Sequence, residues 1–249
     1  MKILALSDLH GYLPEIKEEV DVVVVAGDIV DLYCQNSINK SIVWFSGCFV
    51  PWALNLKCNK VIIIAGNHDF FFQRICENYF KYRQDVYDDT TKQKHYEEDS
   101  VADIISNELM LPRKIVYLQD KGYRYGGKLF YGTPWCPELK MWAFYKSSAD
   151  LNDVFGKIPN DVDVLITHTP GKFVNNTGVS LGKYDKPEYG SIELTDAINK
   201  LEVKPKWWFV GHVHSGNHEL TTYNDVNVVN VSIKDESYKP VYGYKIYEI

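Results

Sequence analysis

A mixed α/β fold is what this sequence predicts, on three observations. Five runs rich in Val and Ile, at residues 3–6, 22–25, 61–64, 162–166 and 207–210, are apolar without alternation, save for Asp163 in the fourth. Runs of that kind fit strands buried on both faces, as in parallel sheets covered by helices. Longer amphipathic stretches lie between them. Tyr-rich alternating segments at 114–133 and 226–249, broken by Gly or Asn, have the texture of antiparallel strands and hairpins.

Taken in order, the chain opens on MKILALSDLHGY, where one lysine precedes a short apolar stretch and polar residues begin at Ser7. A secretory leader needs a longer apolar region and a small-residue cleavage site, so this is a strand. Residues 22–26 form the second strand, residues 37–56 a helix and 61–64 a third strand. Residues 70–111 are polar and Tyr-rich, with charge concentrated at 84–100. They read as a partly helical insertion on the surface. The hairpins of 114–133 follow, then the 162–166 strand. The helix at 191–201 has Ser191 as its cap and Leu194 and Ala197 on its apolar face. The last strands are 207–210 and 226–249. No fixed-period repeat, low-complexity tract or linker divides the chain, which predicts a single domain over residues 1–249.

Composition bounds the function. No apolar run approaches the ~20 residues needed to span a bilayer. Five cysteines, an odd number without a CxxC pair, argue for reduced thiols and a cytoplasmic protein. A net charge of −6 argues against an extended nucleic-acid surface. It leaves room for a phosphate substrate, because bound divalent cations reverse the local field.

Function enters at the ends of the apolar runs. Asp8 and His10 follow the first, Asp28 the second, Asn67 and His68 the third, His168 the fourth, and His212 and His214 the fifth. Ligands of parallel sheets gather beyond the carboxyl ends of the strands, so five such ends would bring these side chains together. Gly27, Gly66 and Gly211 stand just before the donors and permit the sharp turn required there. Each piece alone has an ordinary explanation as turn chemistry or a hydrogen-bonded strand end. The set does not, since five of the seven histidines fall at these positions. His95 and His218 are left as surface or hairpin residues.

DLH at Asp8–His10, GD at Gly27–Asp28, GNHD at Gly66–Asp69, TH at Thr167–His168 and GHVH at Gly211–His214 resemble the motifs of the calcineurin-like metallophosphoesterase superfamily, in the family's order. The resemblance implies two packed mixed β-sheets flanked by helices, an αββα arrangement. It implies that Asp8, His10, Asp28 and His214 hold one metal ion and Asp28, Asn67, His168 and His212 a second, with Asp28 bridging. It also implies hydrolysis by a water that both ions acidify. His68 would protonate the leaving oxygen or hold the phosphate, and Asp31 would orient His68 and favour its charged form. Such mixed imidazole and carboxylate donors suit manganese, iron, zinc, cobalt or nickel. The stretch YGTPWCPELKMWAF at 131–144 resembles the metallophosphoesterase-domain-containing subgroup, some members of which cleave cyclic nucleotides.

Protein phosphatases of the superfamily carry an arginine soon after the second motif, where this chain has Leu32, and another after the third, where it has Phe70–Phe72. A dianionic monoester rewards a bidentate guanidinium, and a diester needs it less. Phe70–Phe72, Trp135 and Trp142 either stack on a base near the mouth or belong to the core. The expectation is a phosphodiesterase for a small nucleotide-like substrate. The alternatives are a monoesterase or nuclease with the same site, and a non-catalytic protein-binding scaffold, against which the intact donor set argues. Residues 70–111 either wall the substrate pocket or decorate the surface.

Overall fold

A computed structural model describes residues 1–86, 100–172, 190–215 and 217–249, with the side chains of 82–86 outside the description. The strands are β1 (Lys2–Leu6), β2 (Val22–Ala26), β3 (Lys60–Ile64), β4 (Ile115–Tyr117), β5 (Lys121–Tyr125), β6 (Lys128–Thr133), β7 (Val164–Thr167), β8 (Trp207–Val210), β9 (Thr221–Tyr223), β10 (Val226–Asn230) and β11 (Lys245–Glu248). They form two sheets, β11-β1-β2-β3-β4 and β5-β6-β7-β8-β10-β9. The first is parallel from β1 to β4, with β11 antiparallel at its edge. In the second, β6, β7, β8 and β10 run parallel and β5 and β9 are antiparallel edges.

Alternation along β1 explains its unbroken apolarity. Ile3 and Ala5 face the second sheet, packing with Phe130, Ile166 and Phe209. Leu4 and Leu6 face the opposite way, into a layer with Phe45, Phe49 and Phe72. Helices cover that outer face: α1 (Ile38–Trp44), continued through a π-turn into α2 (Val50–Asn55), then α3 (Phe70–Val86) and α4 (Val101–Glu108). The outer face of the second sheet is covered by α5 (Ser148–Phe155) and α6 (Ile192–Lys200), over Leu151, Leu194, Ile198 and Trp208. Four layers result, helices–sheet–sheet–helices. Caps end the helices as their sequences dictate. Ser191 Oγ accepts from Leu194 N–H at 3.1 Å, and Ser100 with Asp103 forms a capping box on α4.

Two expectations change. Residues 70–111 are not a surface decoration at their ends: Phe71, Phe72, Ala102 and Ile105 are fully or almost fully buried in the core under α3 and α4. Most of the charged part, 84–100, lies outside the described residues, as does His95. The segments 114–133 and 226–249 are only partly antiparallel, since β4 and β10 pair parallel with β3 and β8. Alternation marks one buried face and says nothing of strand direction.

The two sheets meet at their carboxyl edge. Ser7 N–H donates to Val231 O at 2.8 Å and Ile233 N–H to Ser7 O at 3.1 Å, which stitches the end of β1 to the end of β10. The turns after β1, β2, β3, β7 and β8 therefore open onto one seam. No helix among the described residues is long and apolar enough to cross a membrane.

Candidate metal centre

The turns at this seam are held in uncommon conformations. Asp8 (φ 56°), His10 (φ 40°), Asp28 (φ 54°) and His212 (φ 69°) all occupy the left-handed region. That region costs a non-glycine residue on the order of 1 kcal/mol or more and tends to persist where function over-determines it. Gly27 also has positive φ, as a sharp turn requires, at 96°. Gly66 and Gly211 do not, and serve close packing. A Cβ at Gly66 would collide with Asp28 Oδ1, and one at Gly211 with Ser7 Oγ.

Asp28 is central, and its Oδ2 lies 3.6 Å from His10 Nε2, 3.4 Å from His168 Nε2 and 3.9 Å from His68 Nε2. On one side of it, His214 Nε2 stands 3.3 Å from Asp8 Oδ1 and 3.3 Å from His10 Nε2. On the other, Asn67 Oδ1 lies 3.0 Å from His168 Nε2 and 2.8 Å from His212 Nδ1. All seven positions carried over as metal donors thus meet in one place. Asp8, His10, Asp28, Asn67 and His168 are buried, and His212 and His214 are half-buried.

Outer contacts decide which ring nitrogens face inward. His168 Nδ1–H donates to Ala26 O at 2.8 Å and His214 Nδ1–H to Asp235 O at 2.9 Å, so Nε2 of each points into the site. Asp69, the last residue of GNHD, fastens two donor turns together. Its carboxylate accepts from Val30 N–H at 2.9 Å, Ile29 N–H at 3.0 Å and Gly66 N–H at 2.9 Å.

Burial and charge split the protonation states. Burial lowers His168 and His214, but their carboxylate neighbours outweigh it and raise both to about 9. Burial dominates at His10, which falls to about 3, and at His212, which falls to about 4 with the His168 charge adding to the effect. Burial pushes Asp8 and Asp28 up, yet the imidazoles beside them hold both below the usual carboxylate range.

His68 departs from expectation. Its Nδ1–H donates to Gln35 Oε1 at 2.6 Å. No hydrogen bond or ion pair joins it to Asp31 among the described residues. Asp31 Oδ1 instead accepts from Tyr33 N–H at 2.8 Å, closing the turn on which both residues ride. Gln35 follows Asp31 by one helical turn, its N–H donating to Asp31 O at 3.1 Å, and so reaches the ring that Asp31 does not. Burial lowers the His68 pKa, against the expectation of a favoured charged form; an amide partner brings no charge to offset it.

Beside His68 a cleft of about 210 Å³ opens, walled by Leu139, Trp142, Glu236 and Tyr238. The Trp142 ring centroid lies 4.2 Å from that of His68, and Tyr238 stands edge-on to His10 at 4.9 Å. Phe71, Phe72 and Trp135 are not at this mouth. The first two are core, and Trp135 donates to Asp120 at 2.7 Å beneath the Lys146 ammonium. No described residue of 70–111 lines the cleft, although Phe70 backs Trp142 at 6.0 Å. Gln35 and Tyr238 escaped the sequence reading because each is an isolated polar or aromatic residue in a turn.

The donor set fits divalent cations. Asp8 and Asp28 are 0% and 2% exposed, and among the described residues neither is paired with lysine or arginine. Buried carboxylates without compensating charge are costly. Here the backbone N–H groups of His68 and His212 and a ring of imidazoles offset that cost, and the carboxylate and ring atoms fall in groups lying within 4.8 Å of one another. His10 Nδ1 is buried without a partner.

Comparison with known proteins agrees. The profile described as Calcineurin-like phosphoesterase matches residues 1–216. The human "Metallophosphoesterase domain-containing protein 1" is 28% identical over 96% of this chain and 68% of its own length. The Caenorhabditis elegans "UPF0046 protein T07D4.2" is 29% identical over 87% of this chain and 51% of its own. A solved chain with 14% identity superposes over 99% of this chain and 98% of its own at a TM-score of 0.53, a likeness of fold. Motif order, the two-sheet fold and a buried carboxylate–imidazole cluster that suits divalent cations all agree with that profile: the chain belongs to the calcineurin-like phosphoesterase family, whose chemistry is metal-dependent hydrolysis of phosphoesters.

Proposed function

We propose that this protein is a dinuclear metal-dependent phosphodiesterase acting on a small, nucleotide-like ester. The observation that carries the reading is the place of Asp28. Its carboxylate stands between the Asp8–His10–His214 group and the Asn67–His168–His212 group, within 3.6 Å of a ring nitrogen in each. A shared carboxylate there would hold one cation on either side. Manganese, iron, zinc, cobalt or nickel suit these donors. When bound, such a pair acidifies water and neutralises charge that builds on the phosphoryl oxygens.

The chain's own residues do the rest. Asp8, His10, Asp28, Asn67, His168, His212 and His214 bind the ions. Gln35 holds His68 by its Nδ1–H, leaving Nε2 turned to the cleft; once the ring is doubly protonated, against the burial that lowers its pKa, Nε2–H delivers a proton to the departing oxygen and the ring returns to the Nδ1–H form. Trp142 packs on His68 and excludes water from its other side. Among the described residues the cleft lining holds no arginine or lysine, and Glu236 adds negative charge. A dianionic monoester finds no guanidinium there, whereas a diester carries one charge fewer.

Hydrolysis of bis(p-nitrophenyl) phosphate and p-nitrophenyl phosphate with added manganese tests the substrate class. The diester should show the higher kcat/KM. A clear preference for the monoester would transfer the assignment to a phosphatase.

A further inference from the structure

Cys136 lies just past β6, and its backbone is pinned on both sides. Its N–H donates to Phe144 O at 2.8 Å and its carbonyl accepts from Lys146 N–H at 3.1 Å. The residue is 0% exposed. Its Sγ has one weak contact, Pro134 O at 3.8 Å. That sulfur and a ring nitrogen from each of His168 and His212 lie within 4.8 Å of one another. Among the described residues no other cysteine enters such a group. A buried free cysteine is ordinarily core filling. Filling does not require the sulfur to stand beside the rings of His168 and His212, each of which places a nitrogen on Asn67 Oδ1.

Building on the metal-centre reading above, we propose that Cys136 is a sulfur ligand to the metal position formed by Asn67, His168 and His212. Zinc–sulfur and zinc–imidazole bonds of about 2.3 and 2.0–2.1 Å put tetrahedral sulfur and nitrogen donors about 3.6 Å apart, so one ion reaches all three donors if they draw together by about 1 Å or less. The second position, at Asp8, His10, Asp28 and His214, offers oxygen and nitrogen alone. The two positions are then chemically unlike. The sulfur-bearing one prefers thiophilic ions such as zinc, iron or cobalt, and the other accepts manganese. Binding forms a metal–sulfur bond and breaks the S–H bond, the proton leaves to solvent, and no electron is transferred. Burial, with Asp28 and Asp8 nearby, holds the free thiol protonated, so the ion itself must displace that proton.

Cobalt(II) reports the bond directly. Metal-free protein titrated with cobalt should develop a thiolate-to-cobalt charge-transfer band in the near ultraviolet, beside the visible d–d bands of bound cobalt. Cys136→Ser and Cys136→Ala should lose the first and keep the second. In competition, Cys136→Ser should lower the preference for zinc over manganese by about tenfold or more, since losing even an outer-shell partner costs about 10–100-fold in affinity. Visible bands without the charge-transfer band in the unaltered protein would overturn the sulfur ligand while leaving the metal centre intact. That result decides the matter even if both variants misfold. An unchanged zinc-to-manganese ratio in a folded variant would overturn it as well. Failure of cobalt to bind at all would remove the metal centre and the sulfur ligand with it.

Discussion

The two sheets furnish the seam unequally. The first supplies both central carboxylates and the amide, at Asp8, Asp28 and Asn67, together with His10 and His68. The second supplies His168, His212 and His214. The first half is braced within itself: Asp8 N–H donates to Gly27 O at 3.0 Å, His10 N–H to Asp28 O at 2.9 Å, and Asp69 ties the Asp28 and Gly66 turns together. The second half leans on the first. His168 reaches across to Ala26 O at 2.8 Å, and His212 N–H donates to Asp8 Oδ2 at 3.0 Å. Negative charge is thus set on a self-supporting frame, and the His168 ring and the His212 turn are fixed by bonds that exist only when the sheets pack.

Asp28→Asn probes the braced half and should have the largest effect. With its central carboxylate lost, hydrolysis should fall to background. Metal affinity should drop by more than the ~10²-fold that an outer-shell change costs, while the fold remains. Elemental analysis with kinetics checks this, and near-normal metal with near-normal turnover would falsify the shared role of Asp28.

Next in size is His68, which we place on the proton and not on the ions. His68→Ala should retain both metals and lose about 10²–10⁴-fold in kcat on a ribose-type diester, with a much smaller loss on its nitrophenyl counterpart. Gln35→Ala should show the same dependence on leaving group in weaker form, because it frees the ring that Gln35 orients. Asp31→Ala should show none of it. Equal losses on both leaving groups would assign His68 to phosphate binding.

The smallest effect separates the halves by pH. His168 and His214, raised from 6.5 to about 9, stabilise the metal-free fold below pH 6.5, and that contribution is lost as pH rises through 9. Asp8 and Asp28, held below 3.8, stabilise it above that value and lose the effect as acid is added. A cation must displace the imidazole protons, so its affinity rises over the same alkaline interval. Calorimetry should therefore find the metal-free Tm falling by a few degrees from pH 6.5 to 9 while the gain in Tm on adding manganese grows. Parallel slopes with and without manganese would show that these rings carry no proton for the metal to replace.

The candidate donor positions were legible where strand and turn are coupled locally. An unbroken run such as VVVVAG ending in Asp28 declares both a strand buried on two faces and the donor at its exit. Legibility fails where partners are distant or where one helical turn decides. Asp31 and Gln35 are both plausible partners for a histidine some 35 residues away; they share one face of a turn, and the rise between them along its axis separates Gln35, which reaches His68, from Asp31, which does not. Phe71 and Phe72 follow a metal-binding motif, and nothing local distinguishes a ring at a mouth from one in a core.

By itself, then, the sequence determined the five buried strands, the helices at 37–56 and 191–201 and the candidate donors at the strand ends, since each follows from periodicity and backbone chemistry within a few residues. Tertiary structure alone decided that β4 and β10 pair parallel, that Phe71, Phe72, Ala102 and Ile105 of the 70–111 segment lie in the core, that Gln35 holds His68, and that Cys136 stands against His168 and His212. Those outcomes depend on which surfaces meet when two sheets pack, and residues far apart in the chain do not reveal their separation until they do.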